Sequence, residues 1–147
     1  MPRQIAWKPR LIHPASATSI SLSRVSALAE LLFWKLIPQC DDQGRLFGNP
    51  ELVKATCCPM RKELTPELIP SLLKELEQVE VIIHYSNSTT SLLQMTNWWE
   101  WESPQWAYPS SIPPPAEWKD RLRYRKGGKV VTNNWGKETL VSETDEG

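Results

Sequence analysis

The feature that most constrains this chain is the stretch from Met60 to Trp98, where an amphipathic segment runs directly into two short alternating ones. Within residues 65–79, Leu68, Leu72, Leu76 and Val79 recur at spacings of four, four and three, which is one stripe of a helix. Thr65 followed by Pro66 supplies a start. The hydroxyl can accept from an orphan N–H, and proline lacks only a donor that the first helical position does not use. Pro70 falls inside the same segment, so either the first turn is irregular or the regular helix begins near Pro70. Val81-Ile82-Ile83-His84-Tyr85, a polar tip over 86–90, and Ser91-Leu92-Leu93-Gln94-Met95-Thr96 then read as a β-hairpin.

Upstream, Val25, Leu28, Ala29, Leu32 and Leu36 lie at helical spacing after Ser23, a plausible N-cap, and Pro38 ends the run. Leu31, Phe33, Trp34 and Ile37 spread the apolar surface around most of the circumference, the pattern of a central helix covered on several sides. Asp41-Asp42-Gln43-Gly44 is turn chemistry, and Arg45-Leu46-Phe47 is long enough for a short strand. A further helix follows over 51–58, capped by Asn49, opened by Pro50 and closed by Pro59. The order is helix, short strand, helix, turn, helix, hairpin. That is the α+β arrangement of a winged helix-turn-helix: three helices plus a β-hairpin wing, with the middle pair forming the helix-turn-helix.

Outside this unit the character changes. Residues 1–22 form an N-terminal basic arm, and the winged-helix domain is expected over 23–97. Residues 98–118 hold five tryptophans with Pro104, Pro109, Pro113, Pro114 and Pro115, too many prolines for a regular helix. They read as an irregular Pro/Trp-rich arm partly laid back on the domain by its indoles. Residues 119–147 read as a basic, then acidic, flexible tail: Lys119, Arg121, Arg123, Arg125, Lys126 and Lys129 first, and Glu138, Glu143, Asp145 and Glu146 at the end.

Composition excludes several classes. The formal net charge is zero, so nucleic-acid contact must come from local patches. Cys40 and the adjacent Cys57-Cys58 form neither an even disulfide framework nor the paired spacings of a zinc site, which points to buried reduced thiols and no metal. No apolar run follows Met1-Pro2-Arg3 and no stretch approaches a membrane span, so neither a signal peptide nor a membrane partner is expected. His13 and His84 lack an activating partner, and no phosphate loop, nucleophile elbow or carboxylate dyad is present. Neither a catalytic role nor a cofactor is expected.

Asp41-Asp42-Gln43-Gly44-Arg45-Leu46 after an apolar helix resembles the "D-D-x-G-R" turn of phage replisome-organiser proteins, whose amino-terminal domain is related to the winged helix of DnaD-type replication initiators. Leu72-Leu73-Lys74-Glu75-Leu76 running into Val81-Ile82-Ile83-His84-Tyr85 resembles the same family, as does the hairpin end Thr96-Asn97-Trp98 followed by Gln105, Pro109-Ser110 and Pro113-Pro114. The likeness covers roughly residues 5–122. It implies a winged-helix domain that binds DNA at a phage origin or contacts replication proteins of phage or host, in the cytoplasm of a bacterial host. Such proteins commonly carry glycine before the wing, where this chain has Glu80. A positive φ there would cost on the order of 1 kcal/mol.

A helix-turn-helix offers its second helix to the major groove. Here that face carries Glu67, Ser71, Lys74, Glu75 and Gln78, with Glu63, Glu77 and Glu80 nearby, and only Lys74 offsets the carboxylates. Lys54, Arg61 and Lys62 are the phosphate candidates beside it. The basic run, with Arg121, Arg123, Arg125 and Lys126 at its heart, is the stronger electrostatic footprint. Six cations engaging duplex phosphates would give a log-affinity slope of about −5 against log salt. Trp98, Trp99, Trp101 and Trp106 either dock the arm on its own domain or form a partner surface. The reading is therefore a DNA-binding replication accessory protein, on duplex or single strand, that also contacts replication proteins. The alternatives are an interaction adaptor using the same fold without DNA, and a transcriptional regulator.

Overall fold

A one-turn helix, α1 (Ile20–Ser23), precedes the main helix α2 (Ala27–Leu36), and the break between them falls where Ser26 becomes the N-cap. The Ser26 hydroxyl accepts from the Ala29 N–H. The expected cap, Ser23, instead ends α1, because Ser26 has a helper from outside its own segment. The Glu75 carboxylate accepts from both the Ser26 N–H (2.7 Å) and its Oγ (3.0 Å). A turn of 3-10 helix over Ile37–Gln39 carries Pro38 past the end of α2. This computed structural model describes residues 9–14, 16, 19–102, 107–123, 129–133 and 138–142.

Strand β1 (Arg45–Phe47) leads to helix α3 (Pro50–Cys57), whose cap Asn49 accepts from the Glu51 and Leu52 N–H groups. Helix α4 (Ile69–Gln78) begins at Ile69 rather than at Pro66, with Pro70 in its first turn, where a missing donor is harmless. Its buried face is Ile69, Leu72, Leu73 and Leu76, while Leu68 and Val79, expected on the stripe, are only half-buried. The later start follows from Pro70, which cannot sit in a helix interior, so the regular turns begin beside it. Glu80 follows at φ 63° and turns the chain into strand β2 (Ile82–Asn87), which pairs with β3 (Thr90–Met95).

Strand β1 joins the other edge of β3, giving an antiparallel sheet in the order β1-β3-β2. Arg45 stands opposite Gln94, and Leu46 opposite Leu93. On the hairpin side, Ile82 stands opposite Met95, and Tyr85 opposite Leu92. Alternate residues face opposite sides of a strand, so Leu46, Ile82, Leu93 and Met95 share one face. They pack with Leu32, Leu36, Val53 and the buried side of α4 in the main core.

On the other face of the sheet, Arg45 and Gln94 form a covered polar centre, while Phe47 at the edge is exposed. Arg45 donates to Gln94 Oε1 (3.0 Å) and grips Asp120 through both Nη atoms, with both side chains entirely buried. Its Nε has no partner among the described residues. Gln43 donates to the carbonyls of Tyr108 (3.0 Å) and Arg121 (2.7 Å), while its Oε1 accepts from the Arg121 N–H (3.0 Å). Asp41 accepts from the N–H groups of Gln43 and Arg45 and from the Ser110 hydroxyl. Burial pushes the Asp41 carboxyl up from its ordinary value against those hydrogen bonds. The Tyr85 hydroxyl donates to Pro113 O at 2.6 Å. Gly44, at φ 83°, completes the turn, where a Cβ would lie 2.7 Å from the Trp98 ring.

The structure departs from the expected organisation in four places. Residues 107–121 close the second face of the sheet and are part of the folded unit, so it does not stop at 97. Residue 22 is no boundary either, since α1 crosses it and Leu22 is buried in the core. The Pro/Trp arm opens with a regular turn, α5 (Trp98–Trp101). Finally, where a flexible tail was expected, strands β4 (Asp120–Arg123), β5 (Lys129–Asn133) and β6 (Glu138–Ser142) form a second antiparallel sheet, in the order β4-β5-β6.

Candidate nucleic-acid interface

The α3–α4 connection gathers cations at one corner. Lys54 is half-buried, and its Nζ donates to the carbonyls of Cys58 (3.0 Å) and Arg61 (2.7 Å), so it braces the connection. Arg61 and Lys62 are exposed beside it, next to Met60, which is 91% exposed. Lys35, on α2, acts with Lys54 in offsetting the burial that pushes the Cys58 thiol up. Lys35 thus stands near Cys58, as Lys54 does. Sequence reasoning missed Lys35 because α2 reads as covered on several sides, and a lysine there looks like a helix-end charge.

Helix α4 turns Ser71, Lys74, Glu77 and Gln78 to solvent, with Glu67 exposed in the turn just before it, while Glu75 is tied to the cap of α2. Glu63 and Glu80, just outside the helix, are exposed as well. A phosphate approaching this surface meets several carboxylates and one ammonium, so Coulomb's law opposes close approach along most of it. The hairpin tip differs. Ser86, Asn87, Ser88, Thr89 and Thr90 are exposed and uncharged, and at its base the His84 Nε2 and Ser91 Oγ lie 2.6 Å apart.

The carboxy-terminal candidates separate. Arg121 is half-buried, with its backbone held by Gln43 and its guanidinium 5.9 Å from the Trp99 ring centroid. Arg123 lies on β4, while Arg125 and Lys126 fall outside the described residues. Among the tryptophans, Trp98 is a core residue whose Nε1 donates to Asp42 O at 2.8 Å, with the Arg10 guanidinium 5.1 Å from its ring. Packing against the turn buries it almost fully, so it does not stand out as an exposed partner anchor. Trp99 and Trp101 are half-buried, and Trp106 lies outside the described residues.

Among the described residues no group of three or more His, Cys, Asp or Glu side chains is placed to hold a metal ion. No helix among them is long and apolar enough to cross a membrane. Searches against family models, curated proteins and solved structures returned no match to this chain.

Proposed function

We propose that this chain is a winged-helix DNA-binding module of the replisome-organiser type, seated on the phosphate backbone by the corner of Lys35, Lys54, Arg61 and Lys62. The observation that carries the reading is the element order α2-β1-α3-α4-β2-β3 together with the sheet order β1-β3-β2. This combination supports reading α3 and α4 as a helix-turn-helix with a hairpin beside it. Exposed Arg61 and Lys62 then sit at the turn between the two helices, and Lys74 is the one cation on the outward face of α4. Phosphate contacts position a protein without reading sequence. The acidic face of α4 favours that mode over base readout.

The test is a titration of the full chain against short duplex and single-stranded DNA over a salt series. Micromolar affinity near 50 mM salt is expected, with a log–log slope of about −3 on duplex if three or four of these cations reach phosphates. The paired change Arg61→Ala and Lys62→Ala reduces the steepness of the slope by about 2. Millimolar affinity at 50 mM salt would remove the DNA reading.

A second reading is favoured by the same acidic face and by the absence of any net charge. The fold then serves as a protein-interaction scaffold for replication or regulatory partners, with no DNA contact. A partner retained after nuclease treatment and after the paired Arg61/Lys62 change supports this alternative.

A further inference from the structure

An apolar cleft of about 90 Å³ opens between the amino-terminal segment, α2 and α5. Phe33, Trp34, Trp98 and Trp101 line it with aromatic rings, and Leu11 and Ile12 stand at its edge, 58% and 68% exposed. The volume accommodates a single side chain. One lining group does not belong in such a place: Glu102 is 5% exposed, and both its carboxylate oxygens accept from the one Leu11 N–H (3.0 and 3.1 Å). An ionised carboxylate can accept about four hydrogen bonds. Buried charges are ordinarily paired, and an unpaired one costs several kcal/mol.

The nearest cation does not resolve this. Arg10 is engaged in an ion pair with Asp42 at 3.0 Å and lies over Trp98. Burial pushes the Glu102 carboxyl up from its ordinary value, against the Leu11 N–H and the through-space pull of Arg10. The cleft thus combines aromatic walls, an apolar rim and one under-compensated anion. Aromatic rings attract a cation through their electron-rich faces, and a lysine side chain has an apolar stem to lay on the rim.

We infer that this cleft is a docking site for a lysine side chain of a partner protein, its ammonium held between the aromatic walls and the Glu102 carboxylate and its methylenes against Leu11 and Ile12. The inference is independent of the DNA reading, since none of these residues belongs to the α3–α4 corner. It also gives Trp101 a defined role as one wall of a cation site, distinct from a general sticky surface.

The probes are n-butylammonium chloride and n-butanol, titrated into the full chain at constant ionic strength while tryptophan emission is followed. Saturable binding of n-butylammonium is expected at concentrations at least tenfold below those needed for n-butanol. Glu102→Gln keeps an acceptor for the Leu11 N–H and should bring the two probes within twofold of each other. Equal binding of both probes by the unaltered chain, preference for n-butanol, or no saturable response overturns the proposal, as does discrimination surviving Glu102→Gln. If that variant does not fold, Trp101→Leu decides. It should weaken n-butylammonium binding at least fivefold, and an unchanged affinity refutes the assignment.

Discussion

Strand β3 is gripped on its two sides by different chemistry. Leu93 and Met95 belong to the apolar core with the helices, whereas Gln94, between them in sequence, meets Arg45 and through it Asp120. The helical side is held by non-directional burial, which tolerates exchanges of similar volume. The covered polar side is held by directional bonds among groups that are expensive to leave unpaired. A domain sealed in this way has one face that resists change by size and another that resists change by chemistry.

Removing one partner of the buried ion pair is the severest way to break that contrast. Asp120→Ala strands the Arg45 guanidinium and should lower the unfolding free energy by roughly 3–5 kcal/mol, read from urea denaturation at unchanged slope. The paired replacement Arg45→Met with Asp120→Leu should recover most of that loss. If it does not, the polar face contributes more than charge compensation. On the helical side, Leu73→Ala should cost roughly 2–5 kcal/mol, set by how far the cavity collapses. No second change of polarity should rescue it.

Two smaller effects sharpen the comparison. Glu80→Gly relieves a left-handed residue and should raise stability by about 0.5–1 kcal/mol, visible as a higher urea midpoint. Burial pushes Tyr85 up to about 12 from 10. The folded state therefore keeps a proton that the unfolded chain releases near pH 10. Tyr85 contributes stability that is fully present below pH 10 and lost as the pH rises through about 12. Its half-exposed position keeps the effect modest. In Tyr85→Phe this part of the alkaline loss should vanish, as followed by melts between pH 9 and 12.

The apolar side of this contrast was legible in the sequence. Spacing and punctuation identified α2, β1, α3, α4 and the hairpin in their correct order, because stripes, caps and prolines act within a few residues. Where the reading slipped, the deciding partner was remote. Ser26 displaced Ser23 as a cap because Glu75, forty-nine positions on, reinforces it. The partnership of Arg45 with Asp120 spans seventy-five positions, and no periodicity announces it. The second sheet had a local signal that charge concealed: Lys129-Val130-Val131-Thr132 and Thr139-Leu140-Val141 are rich in strand formers. Reading them by charge turned strands into tail. Of the candidate site, Arg61 and Lys62 were found from their position in the turn. Lys35 was missed, and Glu102 passed unnoticed because its character comes from burial alone.

The carboxamide of Gln43 answers the N–H and C=O of Arg121 as a neighbouring strand's peptide group would. A rung built from one side chain has no slack. Asparagine is a methylene too short to span it, and glutamate would set an oxygen against the Arg121 carbonyl. That single amide works as a gauge, fixing how far along its own axis β4 can slide before Asp120 loses sight of Arg45.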